Sequence, residues 1–148
     1  MATSRNITFT FANETSYDLW TDGKFYAWSG DSSGKFASDG NPARVSTFST
    51  HKAFAACGDS DSATGTEGMV KYWAVPTGAT GNSQAVGSLH VYFEVYYTHS
   101  SDDNNAMNIS GSGVFGSKGT YTWTTSGFSK QADSVSVTVT FAAATGAS

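Results

Sequence analysis

The sequence predicts an all-β fold: a single-domain sandwich of about ten short, mostly antiparallel strands. Three observations carry that prediction. Only two of the 148 residues are leucine, Leu19 and Leu89, which disfavours helix bundles and coiled coils, whose seams are filled by Leu. Val, Thr, Tyr, Phe and Trp are prominent instead, residue types that suit a pleated, half-buried surface. Short runs of alternating polarity recur between Gly-, Ser- and Asp-rich segments, the spacing of a sandwich or barrel. The length suffices for a real core, so 1–148 is expected to be one domain, with its core at about 6–141 and a frayed tail from Ala142.

The elements follow in order. Ile7, Phe9 and Phe11 alternate with Thr8 and Thr10, a strand with one apolar face. Tyr17 to Trp20 reads as a second short strand. Thr21-Asp22-Gly23 is a turn signal, and Lys24 to Trp28 reads as a third strand. Gly34-Lys35-Phe36 is a short segment within a loop, and Val45 to Phe48 and Lys52 to Ala56 are two further strands. Thr66 to Val75 is a strong strand that stops at Pro76. Leu89, Val91, Phe93 and Val95 define one face of the clearest strand, with Tyr92 and Glu94 on the other. Thr98 to Asn105 reads as a polar loop. Met107 to Gly111, Gly119 to Thr124 and Ser134 to Phe141 complete the set.

Charge narrows the function classes. The net charge is −4, with eight Lys+Arg and 14% charged residues, against about 25% in typical soluble domains. Nucleic acid is not an expected partner, because phosphate affinity needs clustered basic charge. No basic run serves anionic lipid either. Cys57 is the only cysteine, which excludes an intrachain disulfide and a cysteine zinc site. The start lacks the apolar stretch of a signal peptide, and no segment approaches a spanning helix. The chain is therefore expected to be made as a soluble cytoplasmic protein and to act outside the producing cell. Sequons at Asn6, Asn13 and Asn108 are read as chance in a Ser/Thr-rich chain.

No enzyme chemistry emerges, and no cofactor is expected. Cys57 and His51 lack a nucleophile motif, and His51, His90 and His99 lack metal-ligand spacing. Asp59 with Asp61, and Asp102 with Asp103, read as solvated turns rather than as calcium loops. The aromatics are more telling, because Tyr and Trp favour places with one apolar and one wet side. Trp20, Tyr72 and Trp73 read as core. Trp28 and Tyr97 adjoin small polar loops, where surface function and packing are evenly matched.

Residues 56–68, ACGDSDSATGTEG, resemble the A-C-G-x-[SE]-D-A-A-x-G-T-x-G stretch of the aegerolysins. Trp28 with GKFASDG at 34–40 resembles that family's W-G-K-x-H-x-D-G segment. Leu89 to Tyr97 occupies the place of its H-x-Y-W-D-C-P-W segment. Asn13 to Ser16 and Thr64 to Gly68 are also similar to the small component of bacterial binary insecticidal proteins, of the same family. The resemblance implies an actinoporin-like β-sandwich that binds a membrane sphingolipid or cell-surface receptor. It implies a cytolytic or insecticidal role beside a larger perforin-like (MACPF) partner that makes the pore. The family's lipid contacts fall on Trp28 and Tyr97, with Tyr96 in place of its Pro, Ser100 near its basic residue, and Thr64 in place of the acidic residue tied to sterol-dependent recognition. Glu67 and Glu94 complete the candidate set of Trp28, Thr64, Glu67, Glu94, Tyr96 and Tyr97. Two other readings remain open: a carbohydrate-binding, lectin-like module without lytic activity, and a structural protein that forms homo-oligomers through edge strands.

Overall fold

The computed structural model describes residues 5–27, 34–58, 65–99 and 104–144. Nine strands form in chain order: β1 (Asn6–Asn13), β2 (Asp18–Thr21), β3 (Lys35–Phe36), β4 (Ser49–Cys57), β5 (Thr66–Val75), β6 (Gly87–Val95), β7 (Ala106–Gly113), β8 (Tyr121–Ser126) and β9 (Ser134–Ala143). No helix is present among the described residues. One sheet has the order β3-β4-β1-β9-β8 and the other β2-β5-β6-β7. All pairings are antiparallel except that of β1 with β9, which is parallel. The chain is thus the all-β sandwich that its composition predicts.

The alternating runs place the core. Ile7, Phe9 and Phe11 of β1 and Val135, Val137, Val139 and Phe141 of β9 face Val70 and Tyr72 of β5 and Leu89, Val91 and Phe93 of β6. Phe9 and Phe54 stack with centroids 4.8 Å apart, and Phe11 meets Tyr72 edge-on at 4.9 Å. The Tyr72 hydroxyl donates to the carbonyls of Ala43 and Ala53, and burial pushes its phenol well above the usual range. A buried hydroxyl would otherwise cost a full desolvation penalty.

Four local expectations are corrected. Lys24 to Ala27 is not a strand: Tyr26 makes only an isolated bridge to Met69, while the Phe25 ring packs on Phe36 and Phe93. Trp28, the last residue of that expected strand, lies outside the described residues. Trp20 and Trp73 are not core residues. Leu19 and Tyr72 take the inward positions, so their neighbours point outward by the period of two. The two indoles then pair across β2 and β5 on the outer face, with centroids 5.6 Å apart. Val45 to Phe48 is also not a strand, since Val45 only bridges to Leu19. At the chain's end, β9 continues through Ala143, beyond the expected stop at Phe141.

Two polar anchors hold the end of the sandwich near Asn13. Its side-chain amide donates to the carbonyls of Tyr17, Val45 and Ser46, and its oxygen accepts from Thr15. This sequon asparagine is buried, so its amide nitrogen is inaccessible to glycosylation in the folded state. Nearby, Asp18 accepts from Arg44 Nε at 2.9 Å, from the Thr47 backbone at 2.9 Å and from the Gly78 backbone at 3.1 Å. Burial alone would raise the Asp18 carboxyl. The Gly78 and Thr47 N–H groups and then the Arg44 guanidinium outweigh it, leaving the pKa below its ordinary 3.8. A depressed folded value stabilises the fold above the unfolded pKa and loses that contribution as pH falls through the folded value. Denaturant midpoints are expected to drop below about pH 4, and Asp18→Asn is expected to flatten that drop. An equally steep drop in the variant would contradict the assignment.

Phe48 is the other departure at this end. It is 72% exposed and sits at φ 54°, the left-handed region that bulky side chains avoid. The Ser46–Ser49 turn holds it there, with Ser49 donating from backbone and side chain to the Ser46 carbonyl. Phe48→Asn, which tolerates this conformation, is expected to raise stability by about 0.5–1 kcal/mol in chemical denaturation. A loss of stability would show that the ring packs usefully.

Candidate functional site

The opposite end of the sandwich gathers four of the six sequence-predicted residues. β5 begins and β6 ends there, and their register sets Thr66 against Val95 and Glu67 against Glu94. Thr66, Gly68, Phe93 and Val95 point inward, so by alternation both glutamates project from the outer face as direct cross-strand neighbours. Such pairs hold their Cβ atoms about 5 Å apart, a spacing at which like charges destabilise a sheet. Beyond Val95 the strand stops, and Tyr96 and Tyr97 turn across the end. Together with Gly65, these residues line a cavity of about 220 Å³. Trp28 and Thr64 lie outside the described residues, as do Ser100 and the aspartates at 59, 61, 102 and 103.

The strand stops because Asn105 captures its next donor. Asn105 is buried within the expected polar loop. Its oxygen accepts from the Tyr96 backbone at 3.0 Å and lies 2.7 Å from His99 Nε2. Its amide donates to the carbonyls of Ser129 and Ala132 at 3.0 and 2.8 Å. All four polar contacts of one side chain thus tie β6, the 98–105 loop and the approach to β9 together. The other ring nitrogen of His99 lies 3.3 Å from the Asp133 carboxylate.

Arg5 locks Tyr97 from the other side. Its Nε donates to the Tyr97 carbonyl at 2.7 Å and lies 3.3 Å from Asp133. Its guanidinium sits over the Tyr97 ring, 4.3 Å from the centroid, a cation–π contact. Ninety-two positions separate the two residues, and no spacing in the sequence signals their meeting. Arg5, His99, Asn105 and Asp133 are the positioning residues that the sequence left unmarked. The resulting cavity has two carboxylates and two phenol rings, and Tyr97 in turn carries the Arg5 guanidinium, which Asp133 pairs. The cavity can accept an ammonium at the carboxylates and rings.

The sites considered for catalysis do not assemble. His51 and Cys57 lie six residues apart on β4, about 20 Å at the rise of a strand. His51 is exposed, with Nδ1 2.7 Å from the Lys52 carbonyl, and Cys57 is half-buried. Among the described residues, no group of three or more His, Cys, Asp and Glu side chains could hold a metal ion.

The outer face of the four-stranded sheet also carries Lys71, whose ammonium lies 4.3 Å from the Tyr26 ring centroid. Tyr26 in turn donates to Asp22, which raises its phenol pKa. His90 is held below its ordinary value by burial and then by Lys71. These groups sit toward the middle of the sheet, away from the Glu67–Tyr97 cavity.

No protein-family model and no curated protein matches the sequence. Solved structures do match the fold. The RahU protein, crystallised with a TRIS molecule, is 15% identical, with a TM-score of 0.59 over 95% of this chain and 96% of its own. The lipid-binding protein Nakanori is 10% identical, with a TM-score of 0.63 over 95% of this chain and 72% of its own. The chain shares their fold.

Proposed function

We propose that this protein recognises a membrane lipid through the cavity at Glu67, Glu94, Tyr96 and Tyr97, with Trp28 and Thr64 as further lipid contacts. One observation carries the reading: two carboxylates in cross-strand register open onto a pocket beside two tyrosines. That lining complements the ammonium of a zwitterionic head group, which the carboxylates and rings would receive. The shared fold with a lipid-binding protein supports it. Sphingolipids that carry phosphocholine or phosphoethanolamine are the natural candidates. The low overall charge agrees, since recognition then depends on shape, stacking and hydrogen bonds rather than on bulk attraction.

In this reading the chain is the membrane-binding half of a cytolytic pair and acts at the surface of a target cell. Pore formation falls to a larger perforin-like partner. The experiment is flotation of the protein with vesicles of sphingomyelin and cholesterol, compared with vesicles of phosphatidylglycerol, whose head group has a phosphate but no amine. Binding to the first and not to the second is expected. Absence of binding to sphingomyelin vesicles, or equal binding to phosphatidylglycerol, would overturn the proposal.

A further inference from the structure

A larger cavity, of about 390 Å³, lies at the other end of the molecule, where β7 and β8 form the open edge of the sandwich. Its lining includes Phe115, Tyr121, Trp123, Ser117 and Thr122. β7 runs antiparallel to β6, so its Gly111–Gly113 end lies by Gly87, a full strand length from Glu94.

The cavity follows from the inward side of the edge strands. Trp123 pairs in register with Phe141, a core residue, so it points between the sheets. Tyr121 shares that side by the period of two. Both rings remain only partly buried, although they face inward and pack on Phe115. The covering strand offers no side chain at Gly111. That position cannot take one, because a Cβ on Gly111 would lie 2.4 Å from the Phe115 carbonyl oxygen. Gly119 is constrained in the same way, with a Cβ 2.2 Å from the Val114 carbonyl oxygen.

The wall is preformed. Phe115, Gly116, Gly119 and Tyr121 donate from their backbones to the carbonyls of Ser112, Gly113, Gly116 and Val114, and the Tyr121 hydroxyl is bonded to Ser16. The cleft is therefore a recess with aromatic walls, the Ser117 hydroxyl and backbone groups, while Thr122, between Tyr121 and Trp123 on β8, directs its side chain to the opposite face. Among the described residues, no charged side chain lines the cleft.

We infer that this cleft is a second binding site, for a neutral sugar, distinct from the lipid site and independent of it. An uncharged lining cannot compensate a buried charge, which argues against ionic ligands. A purely apolar ligand would make no use of the Ser117 hydroxyl at the rim. A pyranose presents an apolar C–H face to the Trp123 or Tyr121 ring and hydroxyls to Ser117 and the backbone. The volume falls in the range of small-ligand pockets, about 300–1,000 Å³. A glycan held here leaves the Glu67–Tyr97 end free to face a bilayer.

The test is an NMR titration with the methyl glycosides of glucose, galactose, mannose and N-acetylglucosamine, following the Trp123 indole N–H. At least one glycoside is expected to shift that signal saturably, with millimolar affinity, and to leave the Glu67 and Glu94 amides unmoved. Trp123→Ala is expected to weaken binding at least tenfold. Ser117→Ala, on the exposed turn, provides a milder variant if the first does not fold, and it should weaken binding several-fold. No shift with any of the four glycosides, or undiminished binding in a folded Trp123→Ala or Ser117→Ala, would overturn the inference. Because the readout is sugar binding at one end, its failure leaves vesicle binding at the other end unaffected.

Discussion

Phe54→Ala is expected to lower the unfolding free energy by about 4 kcal/mol, the largest single effect on stability in the core. The Phe54 ring is fully buried. It stacks on Phe9 at 4.8 Å and meets Phe93 at 5.7 Å and Phe36 at 6.4 Å. Removing it deletes the hub of a cluster of five rings, with Phe9, Phe25, Phe36 and Phe93, that joins the two sheets, and it leaves a void lined by packed rings. The surrounding strand has little freedom to adjust. Ala53, Phe54, Ala55 and Ala56 are all buried, because a bulge between Phe9 and Thr10 shifts the register and residues 37–43 cover the outer side of β4. Phe54→Leu keeps most of the volume and is expected to cost about 1–2 kcal/mol. Urea denaturation of both variants measures this. A cost for Phe54→Ala below about 1 kcal/mol would mean that the cluster is not the core's centre.

Glu67→Gln is expected to weaken function without weakening the fold. Glu67 is half-buried on the outer face of β5, opposite Glu94, and its replacement by the isosteric Gln is expected to leave stability within about 0.5 kcal/mol or raise it. The same change removes a charge-assisted hydrogen bond to a head-group ammonium, a contact worth about 1.5–3 kcal/mol. Affinity for sphingomyelin vesicles should fall roughly tenfold or more. Melting curves and vesicle titrations on the same preparation separate the two effects. A variant that loses stability while keeping its affinity would assign Glu67 a structural role instead.

The fold was legible because the strands with one buried face announce themselves by alternation. Ile7-Phe9-Phe11, Leu89-Val91-Phe93-Val95 and Val135-Val137-Val139-Phe141 all fall where the period of two puts them. Alternation fails where backbone pairing is incomplete. Lys24 to Ala27 has the composition of a strand, yet Phe25 is drawn into the ring cluster and only Tyr26 bridges. Tryptophan misleads for a different reason. Trp20 and Trp73 are hydrophobic by type, but each is adjacent in sequence to a residue already facing the core, so pairing leaves them on the outer side. Of the candidate site, Glu67, Glu94, Tyr96 and Tyr97 could be named from the sequence because they adjoin strong strands and a specific motif. The Glu67–Glu94 pairing itself depends on register, which single strands do not reveal. Arg5 and Asn105 were hidden because their roles exist only through contacts far apart in the chain. An asparagine in a polar loop looks like any turn residue until its amide is seen to be fully bonded.

The central claim is that a zwitterionic head group binds between the carboxylate pair and the two tyrosines. Soluble phosphocholine, titrated into isotopically labelled protein, tests it without the avidity of a bilayer. The expected result is a saturable set of amide shifts confined to Gly65, Thr66 and Glu67 and to Glu94, Val95, Tyr96 and Tyr97, abolished in Glu67→Gln. Shifts that map elsewhere on the protein, or no shifts from a protein that still binds sphingomyelin vesicles, would contradict it.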